Sequence, residues 1–297
     1  MKLVSLALAV FLAIALDGCV SEIPVEVEGA EVPVVNCVLT NDTVQTLSLT
    51  KSVKISDTRL FREIKDAKIV LLTEGQTAGE FARTGYGKWE LHYQPVAGKR
   101  YSLVVTLADG TELSATTTMP RQNRIVKNSS SDAYPSKYFK QMSAQSPCWT
   151  FVLEQNDLPD NLLHPTPSAK AWLKQHIGTD HPLVDRFNDD GGLSAVLPQA
   201  TTPAYSYYVR IRPSAEVAPE GIPFCIQTNF GGNDFVCFRN ASEEYDNYLK
   251  SSFEKLWLYS SEDDPIQWFD ETVVYSNISN GVGIFGAYSD VYFFYNE

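Results

Sequence analysis

From Glu31 to Pro120 apolar residues recur at every second position, and Gly, Asp and Pro interrupt them at short intervals. Successive side chains of a strand point to opposite faces, so this period builds sheet with one face buried and the other wet. "VPVVNCVLT" and "TLSLTKSVKI" alternate, and "AKIVLLTEG" is more continuously apolar. "KWELHYQPVAGKRYSLVVTLADGTELSATTTMP" holds further strands with turns between them. Short strands at such spacing read as an all-β sandwich over residues 31–120.

One hairpin can be argued to its register. Tyr101, Leu103, Val105 and Leu107 share a strand face. A two-residue Asp109-Gly110 turn would set Glu112, Ser114, Thr116 and Thr118 opposite them and waste that face. A three-residue loop, Ala108 to Gly110, instead pairs Val105 with Leu113 and Leu103 with Ala115. It also puts glycine where a type I turn plus bulge needs a left-handed residue. The three-residue loop is the expectation.

Residues 121–297 are expected to form a second β-rich domain with one or two short helices. Gln122 to Lys140 is polar and Ser-rich, and reads as a linker or ordered loop. "CWTFVLEQ", "AYSYYVRIRP", "NDFVCFRN", "ETVVYSNI" and "VYFFYNE" are strand candidates. "SAKAWLKQHIG" reads as a short helix between Ser168 and Gly178. "SEEYDNYLKSSFEKLW" is the clearest helix: Ser242 caps it, and Glu243 and Glu244 suit its positive end. Tyr245, Tyr248, Leu249 and Leu256 form its stripe.

A hydrophobic content of 44% against 20% charged supports a packed core rather than disorder. The net charge of −12 argues against nucleic acid and against a basic patch on anionic lipid. Cys225 and Cys237 flank "IQTNFGGNDFV", whose central Gly231-Gly232 signals a hairpin. An odd-length loop centred on Gly231 would set the two cysteines opposite each other, close enough for a disulfide in an oxidising compartment. Two buried free thiols are the other reading. Nothing local pairs Cys37 with Cys148.

The first 18 residues have the form of a signal peptide. Lys2 precedes an apolar block, Leu3 to Leu16, which is shorter than the roughly 20 residues of a membrane-spanning helix. The block ends Leu16-Asp17-Gly18-Cys19, which resembles the lipobox of bacterial lipoproteins; Asp17 departs from the small neutral residue usual there. The resemblance implies that Cys19 receives lipid and the leader is cut before it. Two or three acyl chains anchor stably where one is marginal. An ordinary secretory signal with a stray cysteine is the alternative. Residues 19–30 are acidic, poor in aromatics and read as a tether.

No catalytic motif stands out. His176 and His181 lie five apart across a glycine, near Asp180 and Asp185, which is not the same-face spacing of a helical zinc pair. "DRFNDDGG" misses the ligand register of an EF-hand and reads as an acidic turn. Ser48 and Lys51 have acyl-enzyme spacing but lie in a β-segment. A carboxylate pair for glycoside hydrolysis would need geometry to select it. The aromatic content suits core packing better than sugar platforms. No catalytic residue, metal site or cofactor is assigned.

The C-terminal third carries a longer pattern. "FRNASEEYDNYLKS" is followed some way on by "VVYSNISNGVGIFGAYSD". With the lipobox, the "VPVVNCVLT" strand and "GKRYSLVVTLADGTELSATTTMP", the chain resembles a family of Bacteroidota outer-membrane lipoproteins catalogued as domain of unknown function forty-two forty-nine. The resemblance implies an exported, lipid-anchored protein with an immunoglobulin-like or carboxypeptidase-regulatory-like first domain. It further implies a non-enzymatic binding or accessory subunit beside a TonB-dependent β-barrel transporter, on the cell surface or the periplasmic face. The alternatives are an adhesive or structural surface lipoprotein and a glycan-binding or glycan-processing protein. Within the pattern, Asn277, Asn280, Gly281, Gly283 and Phe285 mark a loop. It reads as structure, with glycines free to take positive φ and asparagines capping backbone groups, or as a ligand-gripping loop. Asp42 to Val44 also resembles a bacterial O-glycosylation motif.

Overall fold

The computed structural model describes residues 31–54, 57–58, 61–127, 136–154, 175–178, 181–186, 209–228, 234–260 and 274–294. The chain is mainly β-strand, with a single helix among the described residues. Strands β1 (Pro33–Leu39), β2 (Val44–Lys51), β3 (Arg62–Glu63), β6 (Ala82–Gly85) and β7 (Lys88–His92) form one end of a ten-stranded sheet. Strands β4 (Ala67–Thr73), β5 (Gln76–Glu80), β8 (Arg100–Leu107) and β9 (Glu112–Thr118) form a four-stranded sheet in the order β5-β4-β8-β9. Val35, Cys37, Leu47 and Leu49 of the first sheet share a buried core with Ile69, Leu71, Leu103 and Val105 of the second. Two amphipathic sheets thus cover each other's apolar faces.

The hairpin β8–β9 has the register its apolar pattern requires. Val105 pairs with Leu113 and Leu103 with Ala115. The three-residue loop closes through Gly110 N–H donating to Leu107 O at 3.0 Å, with Gly110 at φ +86°. Asp109 Oδ1 accepts from Thr111 N–H at 2.9 Å, a local turn bond.

The second half supplies β10 (Ile125–Lys127), β11 (Ser136–Gln141), β12 (Cys148–Glu154), β13 (Gln175–Gly178), β14 (Val184–Arg186), β15 (Val209–Ile211), β16 (Ile222–Thr228), β17 (Asp234–Ala241), helix α1 (Glu243–Ser260) and β18 (Val282–Phe294). Strands β14-β15-β12-β17-β18 continue the large sheet, while β10-β11-β16-β13 make a third sheet. Five expectations change here, the first being that residues 274–278 of "ETVVYSNI" are not strand. The presumed linker after Gln122 contains β10 and the start of β11. Gln175–Gly178 is strand, not helix; residues 168–174 lie outside the described residues. Helix α1 is not short, its 18 residues spanning about 27 Å at 1.5 Å per residue. The arms flanking Gly231-Gly232 do not pair: β16 lies between β11 and β13, and β17 between β12 and β18. The reason is burial. Val236 and Phe238 face a core shared with Ile222, while Cys237 and Ala241 on the other side of β17 pack beneath α1. A strand with apolar residues on both faces needs cover on both, and that makes it an interior strand with β16 opposite it rather than beside it.

Strand β18 joins the halves. Val282 to Ala287 run parallel to Val34–Leu39 of β1, and Tyr288 to Phe294 run antiparallel to β17. Its side chains alternate accordingly. Phe285 and Ala287 enter the first core, Val291 and Phe293 pack against the third, and Ile284 and Tyr288 lie under Tyr245 and Leu249 of α1. Phe285 is fully buried, worth about 2–3 kcal/mol of transfer free energy.

Candidate functional site

The segment Ser276–Phe285 is where the candidate loop falls, and its last four residues are strand. Strand β18 begins at Val282, so the glycine-rich stretch is its entry. The preceding residues fill a gap between two sheet edges. On one side lies the first half of β18, flanked by β1 but not yet by β17. Its N–H groups at Gly283, Phe285 and Ala287 donate in turn to Ser276 Oγ at 3.1 Å, Asn277 Oδ1 at 2.9 Å and Ser242 Oγ at 3.1 Å. Asn277 Nδ2 returns the bond to Phe285 O at 2.8 Å, so one amide side chain stands in for a strand.

On the other side lies β9. Its carbonyls at Glu112, Ser114 and Thr116 accept from Asn280 Nδ2 at 3.0 Å, Ser279 N–H at 2.9 Å and Asn277 Nδ2 at 3.4 Å. Ile278 enters the first core between the two edges. Unpaired edges invite association, and this plug closes both. Of the three glycines, only Gly283 has positive φ (+122°); a Cβ there would sit 2.0 Å from Val35 O. Gly286 serves close approach instead, since a Cβ would lie 2.8 Å from Tyr245 Cβ. The left-handed conformation falls to Asn280 (φ 59°), a residue type that tolerates it.

Ser242 links this plug to the helix. Its Oγ accepts from Tyr245 N–H at 3.2 Å as the expected N-cap, and its own N–H donates to Ala287 O at 2.8 Å. Thr117 Oγ of β9 reaches Ser242 Oγ at 2.9 Å and Glu244 Oε2 at 2.7 Å.

Beneath α1 lie two buried ion pairs that the sequence reading missed. Arg239 grips Asp290 through Nε–Oδ1 at 2.9 Å and Nη2–Oδ2 at 2.7 Å, donates to Tyr245 Oη at 3.2 Å and stacks 3.5 Å from the Tyr288 ring centre. Tyr292 Oη donates to Asp290 Oδ2 at 2.7 Å. Asp246 on the helix takes Arg210 on both oxygens, with Nε–Oδ1 at 2.6 Å, and Trp149 Nε1 at 2.8 Å. Burial works against the charge on Arg239, and Asp290 more than offsets it, so its pKa rises. Burial, and secondarily the charge of Asp290, raises Tyr292. Both carboxylates are occupied by bidentate guanidinium partners, so neither is placed as a general base. They pin α1 to β12, β15, β17 and β18. The missed signal was a charge inside each of "YYVRIRP", "FVCFRN" and "AYSDVYFF": the same-face neighbours of Arg239 are Cys237 and Ala241, those of Asp290 are Tyr288 and Tyr292, and those of Arg210 are Tyr208 and Arg212.

The remaining expected sites are dispersed. Cys19 lies outside the described residues. Cys37, Cys148 and Cys237 are buried free thiols, and burial raises the pKa of each, which holds them protonated and unreactive. Cys225 pairs in register with Tyr138 and Gly178, whereas Cys237 pairs with Phe151 and Tyr292, so the inferred bridge has no hairpin beneath it. His181 Nδ1 accepts from Leu183 N–H at 3.2 Å. Among the described residues no group of three or more His, Cys, Asp and Glu is placed to hold a metal ion. Asp42 and Thr43 are exposed in the β1–β2 turn, which Thr40 N–H closes on Gln45 Oε1 at 2.8 Å.

One family model, described as a domain of unknown function (DUF4249), matches residues 20–292. The chain belongs to the DUF4249 family. The DUF4249 match starts one residue after Cys19 and ends at Tyr292, so it takes in the plug, the helix and both buried ion pairs. No functionally curated protein matches this DUF4249 chain. Among solved structures it is similar to a putative membrane anchored protein from Corynebacterium diphtheriae, with a TM-score of 0.23 and 8% identity. That similarity covers 72% of the DUF4249 chain and 55% of the other, so the chain spans about half the length of that protein.

Proposed function

We propose that this DUF4249 chain is a lipid-anchored outer-membrane protein of the Bacteroidota type. In this reading it is a non-enzymatic binding or accessory subunit of a TonB-dependent nutrient transport system, held at the cell surface. The observation that carries the reading is Leu16-Asp17-Gly18-Cys19 at the end of a signal-like apolar block, followed by an acidic tether. In this reading residues 1–18 are removed, Cys19 is acylated and residues 19–30 are the tether. Residues 31–120 form an immunoglobulin-like sandwich, and residues 121–297 form the β-rich domain that carries binding. Saturated carboxylates and protonated thiols support a binding rather than a catalytic role.

Two measurements test it. Mass spectrometry of the mature N-terminus should find acylated Cys19, and Cys19→Ala should release the protein from the membrane. Affinity capture of the tagged protein from native outer membrane in mild detergent should bring down a stoichiometric β-barrel transporter. Capture of this chain alone would overturn the accessory-subunit reading and move the weight to a free-standing surface role.

A further inference from the structure

The end of the large sheet where residue 31 enters the fold carries an exposed aromatic pair. Glu31 is fixed there by Arg62 at 2.9 Å and Lys51 at 3.4 Å, and Val32 is tied both ways to Ser52. Register places the same end of each neighbouring strand beside it: Pro33 pairs with Lys51, Lys51 with Arg62, and Val34 with Val282. Leu49 N–H donates to Gly87 O at 2.9 Å, which brings the β6–β7 turn to this end as well.

That end carries exposed apolar side chains. Tyr86, at the tip of the β6–β7 turn, is 58% exposed, and its ring lies 5.8 Å from that of Phe61, which is 43% exposed. Val282 is 41% exposed about three strand spacings away, or roughly 14 Å. The turn is held rigidly: Glu63 accepts from Gly87 N–H at 3.1 Å and pairs with Arg83. The nearby cations Lys51, Arg62 and Arg83 each face an acid, in a chain whose net charge is −12. Lys88, exposed two residues from Tyr86, is a further cation, so the end is aromatic and not net acidic, and it is not driven from a lipid surface as the rest of this acidic chain is.

We propose that Phe61 and Tyr86, with Val282 farther along the same end of the sheet, form a membrane-resting face that inserts at the lipid headgroup boundary. The occupant is the bilayer surface itself. Residues 19–30 reach at most about 40 Å when extended, and they enter the fold at this end, so the aromatic tip lies within the tether's reach of the bilayer. Tyrosine favours the membrane–water interface because its ring is apolar and its hydroxyl tolerates water, and the Phe61 ring adds apolar area beside it. Docking there stands β1 away from the membrane and leaves the Asn41–Thr43 turn at the far end. The proposal rests on the lipid-anchor reading for its geometry.

The test removes acylation from the question. The mature chain with Cys19→Ser and an N-terminal histidine tag is tethered to nickel-chelating lipid in phosphatidylethanolamine–phosphatidylcholine vesicles. Tyr86→Trp is made in that chain, and the acyl chains are brominated as quenchers. The parent chain corrects for its five native tryptophans. The expected result is that the added emission shifts to the blue and is quenched on vesicles. Phe61→Ser in the same background should abolish most of that loss. Added emission that keeps its solution wavelength and escapes quenching overturns the proposal and assigns the face to a protein partner or to solvent. Failure of the anchor reading is separate, since it appears as unmodified Cys19 in the native protein's mass.

Discussion

Replacing Asn277 by alanine removes the side chain that stands in for a strand beside Phe285. Two hydrogen bonds disappear, from Phe285 N–H at 2.9 Å and to Phe285 O at 2.8 Å, together with the longer contact to Thr116 O. Both Phe285 groups lie beneath a half-buried Asn277, so water replaces the lost partner only in part. A net bond is worth about 1 kcal/mol and an unsatisfied buried group costs about 1–3 kcal/mol, which places the total near 2–3 kcal/mol. For a domain of this size that lowers the melting temperature by about 4–10 °C. Thermal unfolding followed by circular dichroism reads the shift. Hydrogen exchange adds a local check, since the Phe285 amide should lose roughly tenfold or more of its protection while core amides of β4 and β8 keep theirs. A melting shift below about 1 °C with Phe285 still protected would refute the idea that Asn277 completes the edge.

Arg239→Met strands Asp290 without its bidentate partner and should cost about 3–5 kcal/mol in urea unfolding. Adding Asp290→Leu should recover most of that loss, and a double variant as unstable as the single one would argue against the pair. Gly283→Ala sets a Cβ against Val35 O at positive φ, so it should disrupt the β1–β18 ladder, read as loss of folded protein or of exchange protection at Val35 and Cys37. Burial raises the tyrosines, with Tyr93 pushed up to about 12 and Tyr245 and Tyr288 also above their ordinary value of 10. Each then binds its proton more tightly folded than unfolded. Their contribution to stability is whole below pH 10 and falls as pH rises through the folded values. Phenolate absorbance from the buried rings should therefore appear together with loss of circular dichroism. Thiol labelling of the native protein should spare Cys37, Cys148 and Cys237 and reach them on unfolding; rapid native labelling at Cys237 would contradict its burial.

What the amino-acid sequence determined by itself was local. The β8–β9 register followed from six apolar or small positions and one glycine, because a strand face and a turn conformation are decided within a few residues. Ser242 announced its helix for the same reason, since a cap acts on the amide three residues away. The signal-peptide form of residues 1–18 is an expectation from composition, and acylation of Cys19 is one that the lipobox resemblance implies. Tertiary structure decided everything that required a partner distant in the chain. "CIQTNFGGNDFVC" looks like a hairpin locally, yet β17 carries apolar residues on both faces, and an interior place between β12 and β18 covers both. "NISNGVGIF" looks like a loop, yet its asparagines meet β9 and β18 edges that exist only once the sheets have assembled. Arg239 and Asp290 are charges of no evident purpose in the sequence, and they become a pair only when β17 and β18 lie side by side. Periodicity states which face of a strand must be hidden; which distant segment hides it is decided by where all the other faces find cover.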